Sequence, residues 1–321
     1  MSHVLTGVAP VAPTVFAEDG SFDPAGQKRV ARYLIDAGSD AICLLANYSE
    51  QFSVTDSERD AIIDHTMEEV GAEVPIMVTT SHFSARIAVE RSVDAQRRGA
   101  SVVMLMPPFY GATMSVDDQS VFDYFSRVAD SIDIDIMVQD SPLSTTKLSV
   151  ELLTRLAREI PQIRYAKIEV PRTAEKLRAL TVGAGDKLPG LFDGEESITL
   201  IPDLHAGVVG TMCSAVIPDR LGGIVRAFAA GNVEGATQEW EQILPLIHYE
   251  NRQCGLLAAK QLLFEGGIIT SPAVRAPIQP LQDWKVRELM ALATKNDALI
   301  LRWAKKGGRH PSIHPQPRGR A

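Results

Sequence analysis

Short apolar runs and longer amphipathic segments alternate along the chain. Residues 41–45 are apolar throughout, and residues 55–70 place apolar side chains at helical spacing behind a Thr55…Glu58 capping box. The first kind of segment predicts a buried strand and the second predicts a helix. The predicted strands cover 7–15, 41–45, 75–79, 101–106, 134–138, 163–168, 188–192 and 208–212. The helices that follow them cover 23–37, 55–70, 84–98, 116–130, 149–159, 172–181, 197–205 and 219–230.

Regular alternation of apolar strands with helices favours a parallel sheet covered by helices. Eight such units within residues 1–230 predict an α/β protein with a closed (β/α)8 TIM barrel. A doubly wound open sheet is the alternative, but no Gly-x-Gly-x-x-Gly pattern follows a predicted strand. Further helical segments at 233–247, 255–265 and 283–295 predict a C-terminal helical appendage over residues 231–304. Residues 305–321 are basic, lack apolar periodicity and predict a disordered tail.

Charge and cysteine content narrow the function classes. The net charge of −8 argues against a nucleic-acid partner, which would need a basic face. No apolar run is long enough to span a bilayer, and the N-terminus lacks the layout of a signal peptide. Cys43, Cys213 and Cys254 are far apart and fit buried thiols better than a disulfide framework or a metal site. We therefore expect a cytoplasmic enzyme with no metal and no membrane partner.

Lys167 is the first candidate for chemistry, because residues 163–170 are expected to form a strand buried on both faces. Burial disfavours a charged amine, so we expect a lowered pKa and a nucleophilic neutral form. Such an amine can attack a ketone and form a Schiff base. The alternative is a strand-end lysine that reaches solvent or pairs with Glu169.

Glu169 follows Lys167 by two positions, so the two side chains point to the same face of a strand. A carboxylate beside a Schiff-base nitrogen can stabilise the iminium or carry protons near it. A simple ion pair is the alternative.

Active sites of these barrels lie at the C-terminal ends of the strands, so the loops that begin there are expected to carry the chemistry. After the second strand, residues 46–52 could form a backbone nest for a carboxylate or be a plain polar turn. After the fourth strand, Phe109 and Tyr110 could line a pocket or a subunit contact. After the seventh, Glu195 and Glu196 could bind hydroxyl groups, favour a helix N-terminus, or do both.

Taken together, these motifs resemble the dihydrodipicolinate synthase and N-acetylneuraminate lyase superfamily of Schiff-base barrels, over residues 7–303. The matching residues are Gly7-Val8-x-Pro10, Thr14-x-Phe16, Asp19-Gly20, Glu50, Pro108-Phe109-Tyr110, Pro142 and Lys167. The resemblance implies that Lys167 forms a Schiff base with a 2-keto acid and that Asn47 and Tyr48 bind its carboxylate. It also implies a homotetramer, a small-molecule substrate and no cofactor, with Tyr110 supplied across a subunit contact.

Two departures from the family pattern affect the expected reaction. Ala46 and Ser49 replace two glycines of the loop after strand two, and Gln139 replaces a proton-shuttling tyrosine on strand five. An amide does not titrate, so a shuttle of that kind is lost. Since the shuttle serves carbon–carbon cleavage in the lyases, its loss favours dehydration.

Within the superfamily, the chain most resembles the branch that dehydrates 2-keto-3-deoxy sugar acids. The segments concerned are 46–52, 79–82, 137–140, 167–169, 193–196 and 248–253. This likeness implies conversion of L-2-keto-3-deoxyarabonate to 2-oxoglutarate semialdehyde in pentose catabolism. The implied roles are proton transfer for Glu169, and orientation of substrate hydroxyls for a set comprising Gln139, Ser81, His82, Glu195 and Glu196.

Other interpretations stay open at this point. His82 could be a loop histidine bonded to the backbone. A 2-keto-3-deoxy-acid aldolase that gives pyruvate and an aldehyde would share the Schiff base. A non-catalytic sugar-acid sensor could use the same scaffold, because a fold does not determine a function.

Overall fold

The computed structural model describes residues 4–109 and 116–306. In it, eight parallel strands form one sheet in the order β1-β8-β7-β6-β5-β4-β3-β2. The strands are β1 (Gly7–Val8), β2 (Ile42–Leu44), β3 (Ile76–Thr79), β4 (Val102–Leu105), β5 (Asp135–Asp140), β6 (Ile163–Ile168), β7 (Gly190–Asp193) and β8 (Gly210–Thr211). Most of their residues are buried, as expected for strands covered on both faces.

The sheet closes on itself between its first and second strands. Val11 and Cys43 form a parallel bridge, the amide of Ala12 donates to the carbonyl of Cys43 over 2.9 Å, and the amide of Cys43 donates to the carbonyl of Pro10 over 2.9 Å. The predicted (β/α)8 barrel is therefore confirmed. The first strand was predicted to extend to residue 15, but Pro10 and Pro13 lack the N–H groups that a longer ladder needs.

Helices cover the outside of the barrel. They are α1 (Pro24–Asp36), α2 (Asp56–Val70), α3 (Ala85–Arg97), α4 (Asp118–Ala129), α5 (Val150–Glu159), α6 (Thr173–Ala184), α7 (Leu200–His205) and α8 (Pro218–Ala229). The predicted capping box is present at α2, where Thr55 accepts from the amide of Glu58 at 3.3 Å and Glu58 accepts from the amide of Thr55 at 2.9 Å. Such caps satisfy N–H groups that a helix start would leave unpaired.

Three more helices follow the barrel: α9 (Val233–Tyr249), α10 (Leu257–Glu265) and α11 (Asp283–Lys295). A π-helical turn, Glu250–Cys254, follows α9 directly. The segment is tied to the barrel, since the indole of Trp240 donates to the carbonyl of Ser197 over 2.9 Å and Arg29 donates to the carbonyl of Ile268 over 2.7 Å. The division at residues 230 and 304 stays a prediction, and residues 307–321 of the predicted tail lie outside the described part. No helix of the described residues is long and apolar enough to cross a bilayer.

Two apolar layers fill the molecule, one between the sheet and its helices and one inside the barrel. The inner layer includes Met77, Met104, Met137, Tyr165 and Phe192. The hydroxyl of Tyr165 accepts from the amide of Leu5 over 3.0 Å, ahead of β1, so this ring fills the N-terminal end of the barrel. Lys167 follows Tyr165 by two positions and points to the same interior, nearer the C-terminal end.

Candidate active site

Lys167 stands inside the barrel on β6 with 3% of its surface exposed. Its Nζ lies 2.6 Å from Oε1 of Glu169. The two-residue spacing on one strand face explains the contact, as the sequence pattern predicted. A buried amine and a carboxylate therefore share the interior of the barrel.

The charge state of Lys167 differs from the expectation of a lowered pKa. Burial pulls the pKa down, but the carboxylates of Glu169 and Glu196 outweigh burial and hold the pKa of Lys167 above its ordinary value. The resting amine is thus a protonated ammonium, and its proton must leave before Nζ can act as a nucleophile. Glu169 is the neighbour placed to accept that proton.

Gln139 lies opposite Lys167 in the register between β5 and β6. Its Nε2 donates to Oε1 of Glu169 over 2.7 Å, so one carboxylate oxygen receives both the ammonium and the amide. Oε1 of Gln139 is buried and has no hydrogen-bond partner. The amide therefore orients Glu169 and leaves one acceptor free inside the barrel.

Gly194 provides the space for this pair. A Cβ at this position would lie 2.5 Å from Cγ of Glu169, 2.8 Å from Cγ of Lys167 and 2.9 Å from the carbonyl of Ile168. Any side chain here would push the lysine or the carboxylate out of position. The requirement comes from close approach, which is one of the main uses of glycine.

Asn47 and Tyr48, which the sequence predicts to bind the substrate carboxylate, lie in the loop after β2. Oδ1 of Asn47 accepts from the side-chain Nε2 of Gln51 at 2.6 Å, and Nδ2 of Asn47 donates to the hydroxyl of Ser141 at 3.4 Å. Tyr48 is half-buried, and burial, with the carboxylates of Glu196 and Glu250, raises the pKa of its hydroxyl. The loop therefore joins the groups after β2, β5 and β7 at one end of the barrel.

The two missing glycines of this loop have a local explanation. Ala46 has φ −86°, which any residue adopts, so alanine is tolerated there. The hydroxyl of Ser49 donates to the carbonyl of Ala12 over 2.6 Å and accepts from the amide of Ala46 over 3.2 Å. The left-handed positions are instead Leu45, with φ 58°, and Glu50, with φ 55°.

Glu50 is held in this conformation by a buried ion pair with Lys260 on α10. Both side chains are 1% exposed, and Lys260 also donates to the carbonyl of Ala273 over 2.9 Å and lies 4.5 Å from the ring centroid of Phe16. The pair ties the loop after β2 to the C-terminal helices. This attachment holds Glu50 in its strained left-handed conformation.

Glu195 and Glu196 follow β7 in a turn organised by Asp193. The carboxylate of Asp193 accepts from the amide of Glu195 at 3.1 Å and of Ser197 at 3.0 Å. Glu196 is 6% exposed and its Oε2 has no hydrogen-bond partner. Burial raises its pKa well above the ordinary value against the attraction of Lys167, while Glu250 and Glu169 raise it further. Glu195 lies nearer the rim, 4.0 Å from the guanidinium of Arg252.

Ser81 and His82 follow β3 in a crevice beside the barrel mouth, lined also by Phe83 and Phe109. The hydroxyl of Ser81 accepts from the amide of Met106 at 2.9 Å, and Nδ1 of His82 accepts from the amide of Ser84 at 3.0 Å. Burial lowers the pKa of His82. Both side chains are engaged with backbone groups of their own region. Tyr110 lies outside the described residues.

Sequence reasoning missed several residues near Lys167. Cys43 on β2 faces the same interior, and burial raises the pKa of its thiol to about 12, against the effect of Lys167. Glu250 and Arg252 come from the π-helical turn after α9. Only the match of residues 248–253 to a known motif pointed to that turn, and it assigned no role.

Comparisons with known proteins agree with the fold. A model of the dihydrodipicolinate synthetase family matches residues 4–296. L-2-keto-3-deoxyarabonate dehydratase of Azospirillum brasilense is 48% identical over 298 residues, which are 93% of this chain and 96% of that protein. The 4-hydroxy-tetrahydrodipicolinate synthase of Acidothermus cellulolyticus is 26% identical over 289 residues, 87% of this chain and 90% of that one. The structure of dihydrodipicolinate synthase from Thermotoga maritima superposes on this chain with a TM-score of 0.85 at 20% identity. The superposition covers 92% of this chain and 99% of that one, and it shows that the two share a fold.

Proposed function

The chain belongs to the dihydrodipicolinate synthetase family and is an enzyme, a lyase, and from this premise we propose that it dehydrates L-2-keto-3-deoxyarabonate to 2-oxoglutarate semialdehyde through a Schiff base on Lys167. The observation that carries the proposal is the shared oxygen of Glu169, 2.6 Å from Nζ of Lys167 and 2.7 Å from Nε2 of Gln139. This geometry couples a nucleophile to a proton carrier, and the β5 residue that contacts the carrier, Gln139, cannot titrate.

The first step is formation of the Schiff base. Glu169 takes the proton of the Lys167 ammonium, and the neutral Nζ attacks carbon 2 of the keto acid. The protonated Glu169 then returns its proton to the carbinolamine hydroxyl, which leaves as water. The resulting iminium acidifies the protons on carbon 3.

Elimination follows from the iminium. Glu169, again a carboxylate, removes a proton from carbon 3 and gives an enamine, which expels the hydroxyl on carbon 4. The proton held by Glu169 goes to that hydroxyl, so a second water leaves. Loss of a proton from carbon 5 gives an enol that is conjugated with the enamine. Protonation at carbon 3 restores the iminium, and the enol becomes the aldehyde by losing its hydroxyl proton and gaining a proton at carbon 4. Hydrolysis of the iminium then releases 2-oxoglutarate semialdehyde and free Lys167.

Cleavage between carbons 3 and 4 would need a different proton transfer. A retro-aldol step requires a base for the carbon-4 hydroxyl, a task that the family tyrosine performs in the lyases. Gln139 occupies that position, and its free Oε1 can accept a hydrogen bond but cannot take a proton. This difference supports dehydration over the aldolase alternative.

The remaining roles are also part of the proposal. Asn47 and Tyr48 bind the substrate carboxylate, and Glu195 and Glu196 receive its hydroxyl groups. Ser81, His82 and Tyr110 stay predictions for the hydroxyl end of the substrate.

The test is a product assay on a panel of 2-keto-3-deoxy acids of differing length and stereochemistry. The dehydratase forms 2-oxoglutarate semialdehyde from the five-carbon acid. Pyruvate together with glycolaldehyde would instead establish the aldolase. Binding of an acid without turnover of any acid in the panel would refute both enzyme functions and support a non-catalytic sugar-acid sensor.

The assembly and compartment belong to the same proposal. We propose a homotetramer that works in the cytoplasm, where the three buried thiols stay reduced. Light scattering coupled to gel filtration tests the assembly, and a mass other than four chains would overturn it. Fractionation of the source cells tests the compartment.

A further inference from the structure

Glu250 is the most deeply buried carboxyl among the described residues of the C-terminal segment. The proposed reaction gives it no role. It is the first residue of the π-helical turn Glu250–Cys254 and is 3% exposed. Helical turns of this kind are uncommon and occur frequently at functional sites. The turn follows α9, far along the chain from Lys167.

The carboxylate of Glu250 lies among loops that all start at C-terminal ends of barrel strands. Burial raises the pKa of Tyr48, Glu196 and Cys213, and in each case the charge of Glu250 is among the neighbours that raise it further. These neighbours come after β2, β7 and β8 respectively. Ser214, also after β8, is a further neighbour, and its side chain lowers the pKa of Glu250. Glu250 therefore lies near the loops that follow β2, β7 and β8, at the C-terminal end of the barrel.

Two carboxylate oxygens in this region have no hydrogen-bond partner, Oε1 of Glu250 and Oε2 of Glu196. Both residues are more than nine-tenths buried. Buried polar atoms in native proteins are nearly always paired, and an unpaired one costs about 1–3 kcal/mol. Two such atoms on neighbouring residues point to a ligand that pairs with both.

The chemistry of the missing partner follows from these atoms. An ionised carboxyl only accepts hydrogen bonds, whereas the protonated form, which burial favours for both residues, also donates one. The ligand must therefore carry groups that do both, as hydroxyls do. Glu196 also interacts electrostatically with Lys167, and Glu250 with Glu196, so the two carboxyls and the amine share one region of the molecule. A keto acid attached to Lys167 offers hydroxyl groups on carbons 4 and 5 as donors.

We propose that Glu250, acting with Glu196, binds the terminal hydroxyl groups of the substrate and selects hydroxylated keto acids over plain ones. The C-terminal helical segment thereby contributes a specificity residue to a site otherwise built from the barrel. This inference rests on the proposed function, because it takes a 2-keto-3-deoxy acid as the ligand.

The test measures borohydride-trapped adducts as a function of ligand concentration, with three ligands. L-2-keto-3-deoxyarabonate carries the hydroxyls, 2-oxopentanoate has the same carbon chain without them, and pyruvate is the keto-acid head alone. The variants are Glu250→Met, which removes both oxygens, and Glu250→Gln, which keeps one acceptor. Glu241→Met is the matched control, an exposed glutamate on α9.

A hydrogen bond to a charged group contributes about 1.5–3 kcal/mol, which corresponds to roughly 10- to 100-fold in affinity. We expect Glu250→Met to weaken half-saturation by the hydroxylated acid by about that factor and Glu250→Gln by less. Half-saturation by 2-oxopentanoate and pyruvate should stay at the wild-type value, and Glu241→Met should match wild type for all three ligands.

Two results would overturn the inference. One is an unchanged affinity of Glu250→Met for the hydroxylated acid. The other is an equal loss for all three ligands, which would mean that Glu250 supports Lys167 or the fold instead. Because the assay reads adducts and not products, an enzyme that forms pyruvate would refute dehydration and still leave this test readable.

Discussion

Lys167 and Glu169 form a buried ion pair in which Nζ lies 2.6 Å from Oε1, with the two side chains 4% and 12% exposed. The pair is more than a salt bridge on a strand, because the same oxygen accepts from Gln139. Charge on the carboxylate keeps a proton on the lysine until a ligand arrives. A site arranged in this way holds the proton that the first water of the reaction needs.

Replacing Glu169 by glutamine should separate adduct formation from turnover. The variant keeps the shape of the side chain but cannot carry protons, and positioned acid–base groups contribute about 10²- to 10⁴-fold in rate. Without the charge of Glu169 the pKa of Lys167 falls, so the amine can lose its proton to solvent and still form the Schiff base. We expect borohydride to trap keto acid on Lys167, more slowly than in wild type, while kcat falls by that factor. Glu175→Gln, an exposed carboxyl on α6, is the control. Wild-type turnover of Glu169→Gln would remove Glu169 from the mechanism.

Gly194→Ala should impair the site without unfolding the protein. The new Cβ would lie 2.5 Å from Cγ of Glu169 and 2.8 Å from Cγ of Lys167. These contacts are too short, so both side chains must move, and misplaced catalytic groups lower the reaction rate. Gly223→Ala is the matched control, since a Cβ there has nothing within 4 Å and alanine suits a helix. We expect a large loss of activity at Gly194, at temperatures where the protein is still folded, together with a moderate fall in melting temperature because the new Cβ also lies 2.9 Å from the carbonyl of Ile168. Gly223→Ala should keep full activity. Equal activity in both variants would refute the steric role.

Lys260→Met tests the anchor of the loop after β2. Loss of one partner leaves the buried charge of Glu50 alone, at a cost of about 3–5 kcal/mol in the free energy of unfolding. The exposed pair of Lys28 and Glu68 offers the control Lys28→Met, expected to change stability by less than about 1 kcal/mol. Urea titrations of both variants measure the difference. A cost at Lys260 no larger than at Lys28 would contradict the anchoring role.

The stability of the protein should depend on pH through Glu250. Burial raises the pKa of Glu250 from 4.5 to about 7, so the folded protein binds a proton there more tightly than the unfolded chain. Between these two values the folded state binds more protons, and the contribution of Glu250 to stability therefore falls as pH rises. Glu250→Gln lacks this penalty.

We expect the free energy of unfolding of Glu250→Gln, relative to wild type, to rise by up to about 3 kcal/mol between pH 4.5 and pH 7. Urea titrations of both proteins at a series of pH values measure it. Glu241→Gln, the exposed counterpart on α9, should follow wild type at every pH. A difference between Glu250→Gln and wild type that does not vary with pH would show that Glu250 stays ionised in the folded protein.

Local patterns were sufficient to predict the barrel and the contact of Lys167 with Glu169. Strands buried on both faces are continuous apolar runs, and two-residue spacing puts side chains on one face, so neither inference needs distant parts of the chain. The direction of the Lys167 pKa was wrong, because Glu196, from the loop after β7, adds its charge to that of Glu169. The charges of Glu169 and Glu196 act together on the pKa of Lys167 only once the barrel has closed and brought β6 and the loop after β7 side by side.

Residues from the C-terminal segment could not be placed from the sequence for the same reason. Lys260 and Glu250 look like ordinary helix residues until α10 and the turn after α9 pack against loops from the start and end of the barrel. The roles of Ser81, His82 and Tyr110 stay predictions. Alanine can replace glycine at position 46 because the backbone there has an ordinary negative φ. The left-handed conformations of this loop fall on Leu45 and Glu50 instead.

The central claim is that Lys167 holds the keto acid while water is lost from it. Borohydride added during turnover of L-2-keto-3-deoxyarabonate, followed by peptide mass spectrometry, tests it most directly. We predict a label on the peptide that contains Lys167, with adducts that keep all five carbons of the acid and include the form that has lost water from carbon 4. A three-carbon pyruvate adduct as the sole label, or the absence of any label on Lys167, would contradict the account.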